Sequence, residues 1–79
     1  MANSPTLAEL KARLEDLGCS ITVLSDEITT PDGEYVVSAA SHEGRFVALP
    51  LVPDGERISP WVIGNIERRL RIKTGFASL

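Results

Sequence analysis

Apolar positions in the first third of the chain fall at Leu7, Leu10, Leu14 and Leu17, spaced alternately three and four residues apart. That spacing stacks them on one stripe of an α-helix. The helix is expected from Pro5 or Leu7 to Leu17. Thr6 with Glu9 three residues on reads as a capping box, and Ser4 ahead of Pro5 is the alternative N-cap with proline at the first helical position. Glu9–Arg13 and Lys11–Glu15 are four-apart pairs on the solvent side. Gly18 supplies the left-handed residue that ends the helix.

The period then drops to two. Cys19–Ile28 alternates, with Cys19, Ile21 and Val23 against Ser20, Thr22 and Leu24. Thr30-Pro31-Asp32-Gly33 is a turn, because proline presets φ and glycine accepts φ > 0. A second run sets Tyr35, Val37 and Ala39 against Val36, Ser38 and Ala40. Ser41-His42-Glu43-Gly44 forms a hairpin loop. A third run sets Phe46 and Ala48 against Val47 and Leu49. Pro50 and Pro53 cannot donate ladder bonds, so that strand stops there or lies at an edge. A half-exposed sheet ordinarily shows a polar outer face. Here valine, alanine, leucine or an aromatic occurs on both sides of the second and third runs, so either another chain or the protein's own loops should cover the second face.

A second helix follows the Pro53-Asp54-Gly55 turn. Ser59 is its N-cap, Pro60 its first residue, and Ile58 with Ile63 forms a hydrophobic staple. It is expected to run to about Lys73 and to stop at Gly75. Val62, Ile63, Ile66 and Leu70 cluster on one face, which belongs on the sheet. Trp61, Gly64, Asn65, Arg68 and Ile72 share the opposite side and form the candidate interaction face. Tryptophan and arginine are enriched in interface hot spots, and Gly64 allows close approach of another backbone at a cost of about 1 kcal/mol against alanine. The competing reading folds Trp61 back over Pro53–Ile58 and sets Ile72 under Phe76.

These elements make an α+β fold: helix, three-stranded antiparallel meander, helix (αβββα), with both helices on one face of the sheet. The chain of 79 residues is read as a single domain, 1–79, with flexible ends at 1–5 and 76–79. At this size only about 60–65% of the unfolded surface is buried, and oligomerisation or a partner is a common remedy. The lone cysteine, Cys19, has no internal disulfide partner, which suits a reducing cytoplasm. There is no basic n-region and no run approaching about 20 apolar residues, so neither a signal peptide nor a membrane span is expected.

The net charge of −3 argues against general nucleic-acid binding, but it is unevenly spread. Residues 1–40 carry two basic against seven acidic side chains, a net of −5; residues 41–79 carry six against four, a net of +2. Arg68, Arg69, Arg71 and Lys73 crowd the second helix and suit the negative end of its dipole. Arg68, Arg69 and Arg71 are the candidate RNA contacts, although they project in different directions.

Candidate chemistry is sparse. His42 lies in a loop beside Glu43, where it would act as a general base only with a substrate brought to it. His42 and Cys19 with scattered acids do not make a zinc set, and Cys19 reads as a small core residue. Asp26 and Glu27 are adjacent, so in a strand they point to opposite faces. Serine-nucleophile motifs and phosphate-cradling glycine loops are absent from the sequence. No catalytic residue, metal ligand or cofactor is therefore assigned.

Three segments carry a family resemblance: the opening helix ending at Leu17-Gly18, the stretch His42-Glu43-Gly44-Arg45-Phe46-Val47-Ala48-Leu49-Pro50, and the last helix from Ile58-Ser59-Pro60 through Leu70. In these the chain resembles the HicA-type mRNA interferase toxins, which implies a double-stranded-RNA-binding-like fold. The Gly-Ser-His in which that family carries its histidine for RNA cleavage is absent; Ser25-Asp26-Glu27-Ile28 precedes the second strand instead. The lysine-rich helix start of double-stranded-RNA-binding domains proper is Ile58-Ser59-Pro60-Trp61 here. The resemblance thus implies the fold, and fold alone does not carry function.

The leading expectation is a small non-catalytic, cytoplasmic protein-interaction module. It would self-associate or bind a cognate protein through the open sheet face or the Trp61/Arg68 face. One alternative is a HicA-like RNA-directed protein, either a degenerate toxin or an RNA binder. A second is a mobile-element inhibitor of a host protein.

Overall fold

The first helix begins where its exposed N–H groups find acceptors. In the computed structural model, which describes residues 4–31 and 33–76, α1 spans Leu7–Asp16. The leading N–H groups of a helix have no partner within it. Here Leu7 N donates to the Glu56 carbonyl (2.9 Å) and Ala8 N to the Asp54 carbonyl (3.0 Å). Glu9 N donates to Thr6 Oγ1, and Thr6 N donates back to Glu9 Oε1 at 2.8 Å. The capping box is therefore complete, and Thr6, not Ser4, is the N-cap. Leu7, Leu10 and Leu14 are fully buried. The expected pairs Glu9–Arg13 and Lys11–Glu15 give way to longer-range ties: Lys11 Nζ meets Asp54 Oδ1 at 3.1 Å, and Arg13 Nε donates to the Thr74 carbonyl at 2.9 Å.

Five short strands follow: β1 (Ser20–Val23), β2 (Ile28–Thr30), β3 (Gly33–Tyr35), β4 (Ser38–His42) and β5 (Arg45–Ala48). β1, β4 and β5 form the antiparallel sheet in that order, while β2 and β3 make a separate two-stranded ribbon. The continuous strand expected over Cys19–Ile28 is broken. Ser25 Oγ accepts Val37 N (2.9 Å) and donates to the Asp26 carbonyl, a local side-chain bond that competes with the ladder. The Thr30–Gly33 turn closes the ribbon rather than the main sheet, so the second strand starts at Ser38 instead of Tyr35. The meander survives as β1–β4–β5, with the ribbon inserted between its first two strands.

The register aligns Ile21, Ala40 and Val47 across the sheet, and all three belong to or pack on the core. The α2 helix (Pro60–Leu70) buries Ile63, Ile66 and Leu70 in the same cluster as the α1 leucines, so both helices cover one face. Ser59 Oγ caps α2 by accepting Val62 N at 3.3 Å, with Pro60 in the first turn. The other face carries the rows Ser20–Ser41–Phe46 and Thr22–Ala39–Ala48. It is made of small and polar side chains around one large exposed ring, Phe46. The continuous apolar second face inferred from alternation is absent, because the strand boundaries shift Tyr35 and Val37 off the main sheet.

The end of α2 also differs. The helix stops at Leu70, not near Lys73, because Arg71 adopts the left-handed conformation (φ 57°, ψ 48°). Arg71 N and Ile72 N both donate to the Glu67 carbonyl, which turns the residue after the cap onto the helix. Ile72 and Phe76 pack against the core. Thr74 is buried, with its N and Oγ1 donating to Glu67 Oε2 (2.6 and 2.7 Å). Of the ends expected to be loose, 1–3 and 77–79 lie outside the described residues. Ser4 accepts from Arg57, and the Pro5 carbonyl accepts Ile58 N at 2.8 Å.

Candidate interaction surface on the second helix and the edge strand

Sequence places Trp61, Asn65 and Arg68 at i, i+4 and i+7, and α2 is regular over all three, so they share one stripe. Trp61 is 74% exposed and does not fold back over Pro53–Ile58. An indole left this open forgoes about 1.5–3 kcal/mol of burial, the scale for a large apolar side chain. Arg68 is held toward Asn65, whose Oδ1 accepts from the guanidinium. Among the described residues a Cβ on Gly64 would meet only the Arg68 guanidinium, at 3.8 Å, so no described backbone segment uses the glycine for close approach. Ile72 lies past the helix and packs on the core, so it leaves this face. Arg71 lies past the helix as well, which separates it from Arg68 and Arg69.

The neighbour that sequence reasoning missed is β5. It is an edge strand, and a crevice of about 410 Å³ runs between it and α2, lined by Val47, Ala48, Asn65, Arg68 and Arg69. Leu49 N donates to the Ser38 carbonyl, so at that position the strand bonds inward to β4. Alternation along the ladder then turns the N–H and C=O of Arg45 and Val47 toward β4, and those of Phe46 and Ala48 outward. The β4–β5 loop supports the same register: Glu43 (φ 50°) and Gly44 (φ 83°) fill a two-residue hairpin turn between paired His42 and Arg45. Pro50 and Pro53 were the only sequence signals for an edge, and they mark its end rather than its open side.

Cys19 and His42 flank the Ser20–Ser41 pair at one end of the β1–β4 ladder, and among the described residues no hydrogen bond joins them to each other or to a carboxylate side chain. Cys19 is buried, and that burial pushes its thiol up, away from the thiolate a nucleophile needs. His42 Nδ1 is buried without a hydrogen-bond partner, and its ring approaches Gly18. Glu27 is raised above its ordinary 4.5 first by a hydrogen bond with the Glu34 side chain and then by that neighbour's charge. The two acids thus meet each other across the ribbon. Among the described residues no group of three or more His, Cys, Asp or Glu is placed to hold a metal ion, and no helix is long and apolar enough to cross a membrane.

A second hollow, of about 580 Å³, lies between the ribbon and the loop Leu51–Glu56, with Thr30 and Tyr35 on one side and Val52 and Pro53 on the other. The chain matches no protein-family model, no curated protein and no solved structure.

Proposed function

We propose that this domain is a protein-interaction module whose contact surface is the Trp61–Asn65–Arg68 stripe of α2 together with the open edge of β5. The observation that carries the reading is the pairing of an unburied tryptophan on a regular helix with a crevice beside the open outer edge of β5. A tryptophan supplies a large contact area at low side-chain entropy cost, and tryptophan and arginine are enriched in interface hot spots. The scaffold supports the reading in a second way. The open sheet face is small and polar apart from Phe46, so the domain does not need a permanent partner to cover a greasy layer, and a reversible contact suffices.

Size-exclusion chromatography of the tagged protein in extract from its native host tests this. Wild type is expected to elute in an assembly well above 8.6 kDa, and the double variant Trp61→Ala/Arg68→Ala as a free monomer with unchanged circular dichroism. Identical elution of the two proteins would overturn the assignment.

A further inference from the structure

The geometry points to a specific occupant for the crevice: an extended, acidic segment of another protein, which adds to β5 as an antiparallel strand. The inference rests on the interaction-module reading and names its partner's chemistry. β5 offers outward donors and acceptors at Phe46 and Ala48, spaced two residues apart as strand addition requires. No proline and no bulge interrupts the four residues from Arg45 to Ala48, so the strand itself presents an unbroken edge to an incoming backbone. A phosphate backbone could use the two N–H groups but would be repelled by the two carbonyls. A peptide satisfies both, which favours protein over RNA.

Charge selects the kind of strand. Arg68 and Arg69 line the crevice beside the free edge, and both guanidinium-bearing residues are exposed. A strand along β5 therefore passes beneath positive side chains, and Asp or Glu on its crevice side form charge-assisted hydrogen bonds there. The opposite edge, β1, differs. It leads into Asp26 and Glu27, within the half of the chain that carries the net negative charge.

The same charges disfavour a second copy. Two-fold pairing of β5 with β5 would bring both arginine pairs into one crevice, which is repulsive. Pairing the acidic β1 side of one copy with β5 of the next matches charge, but it is head-to-tail. Such contacts propagate into open filaments unless the rotation closes.

Selection from a random-peptide display library against the whole protein tests the inference. The expected winners are extended sequences enriched in Asp and Glu at alternate positions. Their binding should weaken about tenfold or more with Arg68→Glu/Arg69→Glu, and fall as salt rises. Amide exchange resolved by residue separates this from other modes. Phe46 and Ala48 amides exchange freely in the free protein and become protected with peptide bound, and N-methylation of alternate peptide residues abolishes both binding and protection.

Several results would overturn the inference: no enriched peptide, winners without acidic residues, or binding that leaves the two amides unprotected. Protection in the peptide-free protein, with a doubled mass, would assign the edge to a second copy. Competition by RNA in place of peptide would assign the arginines to phosphate. A larger assembly in host extract that depends on Trp61 but leaves β5 unprotected would keep the interaction module and remove the strand.

Discussion

At single positions, backbone conformation sets the sharpest expectations. Arg71 ends α2 in the left-handed region, where an L side chain crowds its own carbonyl at a cost of about 1–2 kcal/mol. Arg71→Gly should therefore raise the unfolding free energy by about 0.5–1 kcal/mol, read by urea denaturation, after the greater chain entropy of glycine is offset. Gly33 behaves in the opposite way. Its φ is +137°, and a Cβ there would lie 2.9 Å from Pro53 Cγ. Gly33→Ala should destabilise by more than about 1 kcal/mol in the same assay, since the clash adds to backbone strain. These two residues also show what was legible. The helix starts at Thr6 and Ser59 could be read from side chains that bond their own backbone within three residues. The helix stop could not: Gly75 fits the sequence rule, but Glu67 captures Arg71, Ile72 and Thr74 first, and that capture depends on tertiary packing of Ile72.

Among elements, the β2–β3 ribbon is the one that alternation misread. Cys19–Ile28 has strand character throughout, and nothing in its periodicity reveals that Ser25 will bond Val37 N and break the ladder. The Thr30–Gly33 turn therefore joins β2 to β3, and β4 of the main sheet begins at Ser38, three residues beyond Tyr35. The open sheet face was misjudged for the same reason, while the core rows Ile21–Ala40–Val47 and the helix faces followed from periodicity alone. The ribbon also carries a pH dependence. Glu27 is raised by its hydrogen bond and charge contact with Glu34, so the folded state holds its proton more tightly than the unfolded chain. Stability from this pair is therefore gained as pH falls through the raised value toward 4.5, and lost as pH rises above it. Glu9 has the opposite sign: its hydrogen bonds with Thr6 lower it, so its contribution is present above 4.5 and lost as pH falls through the lowered value. Glu34→Gln should raise the neutral-pH melting temperature slightly and remove the ribbon's part of the profile, measured by scanning from pH 7 to about pH 4.

For the whole molecule, the consequence is a division of labour across a flat body of 34 × 33 × 18 Å. One helix layer and one sheet layer enclose a single core, and α1 is tied to both the Asp54–Glu56 loop and Thr74. The net-negative half of the sequence holds α1, β1 and the ribbon; the net-positive half holds β5 and α2, where Trp61 and the free edge lie. Of the candidate site only a helix face is legible in the sequence, because Trp61, Asn65 and Arg68 share a helical stripe, and strand order, which supplies their neighbour β5, is not written in local pattern. The most direct test places a photo-crosslinking amino acid at Asn65, and separately at exposed Ala12 on the far helix, in the native host. The account predicts a discrete protein adduct from position 65 and none from position 12. Equal labelling from both positions, or an adduct from position 12 alone, would contradict it.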